Sequence, residues 1–105
     1  MDLSQKKCVP CEGGTVPLTK DKIDEYMKAV DPQWQVVDDK SIKRKYKFKD
    51  FKESMDFVVR VANLAESEGH HPDITINYNK VTLELTTHAI GGLSENDFIM
   101  AVKME

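Results

Sequence analysis

Hydrophobic side chains recur along this chain with two different periods. Between Thr19, placed to cap a helix, and the stop at Asp31-Pro32, the residues Ile23, Tyr26, Met27 and Val30 fall at helical spacing. Alternation follows: Trp34 to Val37 and Ile42 to Phe48 read as two strands joined by the polar turn Asp38-Asp39-Lys40. In the second strand Ile42, Tyr46 and Phe48 alternate with Lys43, Lys45 and Lys47, as expected of a strand with one buried and one wet face, and Arg44 interrupts the pattern. Asp50 then caps a longer helix whose residues Phe51, Met55, Val58, Val59, Ala62 and Ala65 share a broad apolar face. Phe57, Val61 and Leu64 widen that face, which ends near Gly69 and marks the expected central core helix. Beyond Pro72, Ile74, Ile76 and Tyr78 and then Val81, Leu83 and Leu85 flank Asn79-Lys80, the pattern of a hairpin with a two-residue loop. Ser94, with Asp97 three residues on, resembles a capping box that opens a last helix carrying Phe98, Ala101 and Val102.

The element order is therefore α-β-β-α-β-β-α. Hairpins alternating with helices predict an α+β fold, with a four-stranded antiparallel sheet and helices packed on one face. Residues 1–18 hold Pro10, Gly13, Gly14 and Pro17 without periodicity and read as an extended N-terminal arm; residues 19–105 read as a single domain. Exposed sheet edges or an uncovered face would serve as dimer surfaces.

A chain of 105 residues with 40% hydrophobic and 31% charged residues suits one globular core. Its net charge of −3 argues against general attraction to nucleic acid or anionic membranes. No apolar run approaches the length of a membrane span or a secretory signal, so a cytoplasmic location is expected. The basic run from Lys40 to Lys52 alternates with apolar residues and reads as the solvated face of a strand rather than an RNA-binding one.

The three histidines, His70, His71 and His88, are the candidate chemistry. If Asn79-Lys80 is the hairpin loop, Tyr78 pairs with Val81, Ile76 with Leu83 and Ile74 with Leu85, and the continued ladder sets His71 opposite His88. Directly opposed residues have Cβ atoms about 5 Å apart, close enough to address one small molecule. Glu66 lies one helical turn before His70, where a carboxylate can orient an imidazole, and Asp97 lies at the start of the last helix. Imidazole ordinarily titrates at about 6.5 and so can give and take protons near neutrality. No serine sits in a nucleophile elbow and neither cysteine neighbours a histidine, which makes covalent catalysis the weaker reading. Asp97 has a structural alternative as the acid of the capping box, and Tyr78 reads as a core strand aromatic.

Glu66, His70-His71-Pro72, Tyr78, His88 and Asp97, seven residues at fixed spacing, resemble the signature of the pterin-4a-carbinolamine dehydratases. The resemblance runs from about Thr19 to Glu105 and includes Tyr78-Asn79-Lys80-Val81 and Gly92-Leu93-Ser94-Glu95. It implies a hydro-lyase that removes water from 4a-hydroxytetrahydropterin to give quinonoid dihydropterin. This reaction belongs to tetrahydrobiopterin recycling beside an aromatic amino-acid hydroxylase. By resemblance His70 and His88 form the acid/base pair, and His71 chiefly binds the pterin. Glu66 and Asp97 hold histidines in their tautomers or bind the pterin's polar edge. The resemblance further implies no cofactor, no metal and assembly as a homodimer or homotetramer. Gly69 stands where animal members often carry an acidic residue and Ile74 where they often carry an aromatic one, while the arm Cys8 to Gly14 looks like that of bacterial members.

Two other functions compete with this one. One is a binding or regulatory module that dimerises through the sheet and keeps the pocket as a ligand sensor. The other is a zinc site formed by Cys8-x2-Cys11 with the histidine pair, which lacks the usual spacing in its second half.

Overall fold

Side chains that the hydrophobic pattern leaves outside the core decide where the helices begin. Asp50 Oδ1 accepts the Glu53 N–H at 2.9 Å and opens α2, Phe51–Glu68. Thr19 Oγ1 accepts the Lys22 N–H at 3.5 Å and opens α1, Lys20–Met27. Ser94 and Asp97 form a complete capping box at α3, Glu95–Lys103. The computed structural model describes residues 2–9 and 15–104. Four strands lie between these helices: β1 Gln35–Val37, β2 Ser41–Lys47, β3 Asp73–Asn77 and β4 Lys80–Leu85. They form one antiparallel sheet in the order β1-β2-β4-β3, an α+β fold with the expected succession of elements.

Helix α1 stops short of Asp31-Pro32, and its last apolar residue, Val30, is buried from the turn that follows. Ile42, Val81, Leu83 and Leu85 are fully buried on one face of the sheet, beneath Phe57 and Val61 of α2 and Phe98 and Ile99 of α3. On the other face Lys43, Lys45 and Lys47 are exposed. Arg44, which interrupts the alternation of β2, points to the covered face. Its guanidinium lies 4.4 Å from the centre of the Tyr46 ring and 3.8 Å from Asp31 Oδ2.

Three expectations change. The hairpin loop is Tyr78-Asn79, not Asn79-Lys80: Ile76 pairs with Val81, Ile74 with Leu83 and Asn77 with Lys80, two residues from the predicted register. A slip of two keeps every side chain on its expected face, so the hydrophobic pattern does not distinguish the two registers. Tyr78 takes φ +52° in the loop and is 66% exposed, stacked on Phe51 with ring centroids 6.5 Å apart rather than packed in the core. On α2 the buried residues are Ser54, Phe57, Val61 and Ala65, whereas Phe51, Val59 and Ala62 of the predicted face are exposed. The helix is apolar around most of its circumference, and only one side meets the sheet. Strand β3 is exposed along its whole length as a sheet edge, including Ile74 and Ile76.

The N-terminal arm contains a 3-10 turn, Leu3–Gln5, that periodicity does not reveal because it rests on one apolar side chain. Leu3 is buried against α3 and belongs to the core. The chain then runs along the surface, where Lys6 Nζ donates to Glu95 Oε2 and the Cys8 N–H donates to Glu68 Oε1, each at 2.9 Å. No helix among the described residues is long and apolar enough to cross a membrane.

These anchors carry a pH signature. The Cys8 N–H and then the Lys103 ammonium hold the Glu68 carboxyl below its ordinary 4.5, and Lys6 and Tyr26 do the same for Glu95. A carboxyl lowered in the folded state stabilises it fully above the ordinary value and loses that contribution as pH falls through the folded one. The Cys8 amide resonance should therefore hold steady above pH 4.5 and shift only in more acidic solution. A midpoint at or above 4.5 in a ¹⁵N-correlated NMR titration would refute the anchor.

Candidate active site

Helix α2 ends at Gly69, whose φ of +66° places it in the left-handed region that terminates helices. A Cβ built on Gly69 would meet nothing within 4 Å, so the need for glycine there is conformational. The reversal sends His70 toward the N-terminus of α3, where its Nε2 lies 2.6 Å from Asp97 Oδ1. The Asp97 side chain is fully buried and that of His70 is 12% exposed.

Asp97 spends its second oxygen on two further donors. Oδ2 accepts the Ser94 N–H at 3.0 Å, which is the capping-box bond, and the Thr87 hydroxyl at 2.8 Å. The structural and the histidine-directed readings of Asp97 thus both hold, one on each oxygen. Because the Thr87 hydroxyl donates to Asp97, the Ser94 hydroxyl 2.8 Å away donates to Thr87. An ionised carboxylate only accepts, so this network assigns the proton of neutral His70 to Nε2 and leaves Nδ1 with its lone pair. Thr87 is buried and has no sequence signal of its own. It sits in a Thr-Thr-His run without periodicity, and only the fold brings it to Asp97.

His71 is more open: its side chain is 59% exposed and its Nε2 lies 3.7 Å from Glu66 Oε1, itself 81% exposed. Glu66 therefore faces His71 and not His70, whose carboxylate partner is Asp97. The register correction also removes the predicted cross-strand pair of His71 and His88. His88 has left the sheet and opens a 3-10 turn, His88–Ile90, that closes at Gly91 with φ +67°. The Thr87 N–H donates to the Gly92 carbonyl at 2.9 Å and ties the ends of this loop together. The histidines still converge, because a cavity of about 240 Å³ is lined by His70, His71 and His88 together with Thr86, Thr87 and Ala89.

Such a cavity has the size for one small molecule and holds imidazoles of different character, one braced by a buried carboxylate and two facing water. That combination can supply a proton and remove one within the same encounter. The competing zinc reading places one of its ligands at Cys8. Burial, and then the Glu68 carboxylate, push its thiol up to about 12, and its Sγ–H points at the Asn96 carbonyl at 3.6 Å. Cys11 lies outside the described residues.

Known proteins share both the chain and its fold. A protein of Nitrosospira multiformis is 48% identical over 104 residues, spanning 99% of this chain and 90% of its own. One of Alkaliphilus metalliredigens is 44% identical over 104 residues, spanning 99% and 94%. Both are provisionally named pterin-4-alpha-carbinolamine dehydratase. A crystal structure from Brucella melitensis, described as a transcriptional coactivator/pterin dehydratase, superposes with a TM-score of 0.78 at 40% identity, covering 84% of this chain and 94% of that one. Residues 16–105 match the family model described as Pterin 4 alpha carbinolamine dehydratase, and the chain belongs to that family.

Proposed function

We propose that this protein dehydrates 4a-hydroxytetrahydropterins to quinonoid dihydropterins by histidine general acid/base catalysis. The observation that supports this most directly is the 2.6 Å pair of His70 with buried Asp97 beside a cavity shared with His71 and His88. In the reaction the C4a–O bond breaks, the hydroxyl leaves as water after taking a proton from an acid, and the N5 lone pair forms the new C4a=N5 bond. The proton on N5 passes to a base, so the overall change is loss of one water with no oxidant or reductant. His70 and His88 are the proposed proton carriers, and His71 is the proposed pterin-binding group. Asp97 would orient His70, and Glu66 would orient His71 or meet the polar edge of the ring. The family resemblance supports a place in tetrahydrobiopterin recycling, downstream of an aromatic amino-acid hydroxylase.

The proposed active form is a homo-oligomer, a dimer or a tetramer. Phe51 and Val59 on the outer side of α2, and Ile74, Ile76 and Tyr78 on and beside the β3 edge, are exposed together. Apolar side chains beside an open strand edge are what a second copy of the chain would cover.

The decay of freshly generated 4a-carbinolamine, followed by absorbance, tests the chemistry. Wild type should accelerate it, and His70→Ala and His88→Ala should each lose about 100-fold or more of the acceleration. Equal acceleration in all three proteins, or none in wild type, would overturn the proposal. The rate should also change across the neutral range in which imidazoles titrate, and a flat profile from about pH 5 to 8 counts against them.

Thr87→Val keeps the shape of the side chain and removes the hydroxyl. It should destabilise the fold by about 1–2 kcal/mol and lower kcat, with Thr87→Ser restoring most of both in urea melts and turnover assays. Val59→Glu should shift sedimentation toward the monomer, and an unchanged sedimentation coefficient would locate the interface elsewhere.

A further inference from the structure

One wall of the histidine cavity belongs neither to the sheet nor to the long helices. Residues 6–9 cross the end of α2 and the start of α3 as a strap with an anchor at three of its four positions. Lys6 and Cys8 are held by Glu95 and Glu68, and the latter carboxylate is braced by Lys103 Nζ at 2.9 Å. Val9 is held differently. Its N–H donates to Asn96 Oδ1 at 3.0 Å and its carbonyl accepts from Asn96 Nδ2 at 2.6 Å, so one side chain offers the backbone the pairing that a strand edge would offer. Only a carboxamide can both accept and donate in this way. Asn96 is 4% exposed and adjoins Asp97, so the first turn of α3 grips the strap and His70 at once.

The Val9 side chain is 64% exposed, and both Val9 and Asn96 line the histidine cavity. A pterin is a planar ring system with a polar edge and two flat faces. The cavity is well supplied with groups for the edge, and Val9 and Ala89 are the residues of its lining with wholly apolar side chains. An apolar side chain held out by a buried amide at the rim of a polar cavity is placed to cover a ring face.

We propose that the strap is a wall of the ligand site, and that Asn96 is its positioning residue, holding Val9 over one face of the bound ring. This rests on the pterin reading of the cavity and assigns a role to the arm that precedes α1. The strap is a determinant of ring binding, while proton transfer stays with the histidines.

Two variants test it. Asn96→Asp removes the donor and sets a carboxylate oxygen against the Val9 carbonyl. Val9→Gly removes an exposed side chain that lies outside the core. Both should raise KM for the carbinolamine by about fivefold or more, with kcat falling by less than KM rises. In Asn96→Asp, exchange of the Val9 amide with solvent should quicken, and so should carbethoxylation of His70 by diethyl pyrocarbonate, read by peptide mass mapping. Should Asn96→Asp fail to fold, the KM of Val9→Gly decides the matter.

An unchanged KM in Val9→Gly, or a freed Val9 amide with KM as in wild type, would overturn the strap as a wall. A Val9 amide still protected in Asn96→Asp would overturn Asn96 as its positioning residue. The pterin reading fails separately, by absence of turnover in wild type. In that event the labelling rate of His70 still decides whether the strap walls the cavity, and a rate unmoved by release of the strap overturns it.

Discussion

The organisation of this molecule depends on a buried carboxylate. Asp97 is fully excluded from solvent, and a charge in that position is tolerated only when its oxygens are met by donors. Three donors do this, each from a different part of the chain: the Ser94 N–H at the start of α3, the Thr87 hydroxyl after β4, and the His70 imidazole after α2. The same three bonds that neutralise the cost of burial also fix the ring orientation of His70. Removing one donor from a buried acceptor typically costs about 1–3 kcal/mol, and more when the acceptor is charged, a large part of the stability of a small domain. Fold and candidate site are therefore built from one set of contacts.

The elements around Asp97 are arranged so that all three ends arrive together. Gly69 turns the chain out of α2, the loop from His88 to Gly91 turns it back after β4, and the capping box opens α3 between them. Loops carry the candidate chemistry and the rigid elements deliver it, the usual division in small enzymes. The strap adds a fourth arrival, gripped by the residue next to Asp97.

The distribution of apolar surface is uneven. One side of α2 packs on the sheet, while Phe51 and Val59 face away from the core and β3 lies at an edge of the sheet. The opposite face of the sheet carries lysines, which keep it wet. Open edge and apolar helix side are the surfaces that the proposed oligomer would bury.

Local rules were sufficient for much of this. The N-caps Thr19, Asp50 and Ser94, the left-handed Gly69 and the alternation in β2 and β4 are short-range effects, and each stands where sequence reasoning sets it. That the histidines share one cavity was legible as well, although from a ladder whose register is two residues off and whose pairing of His71 with His88 is absent. What needed the tertiary structure involves partners far apart in the chain. Which part of the broad apolar face of α2 meets the sheet depends on what lies across from it. That Leu3 of the arm joins the core depends on α3, against which its turn packs. The pairing of His70 with Asp97 rather than Glu66, the brace from Thr87 and the grip of Asn96 on Val9 span 27, 10 and 87 residues of sequence. Periodicity reports the environment of a residue within its own element, and it is silent about which distant polar group will satisfy it.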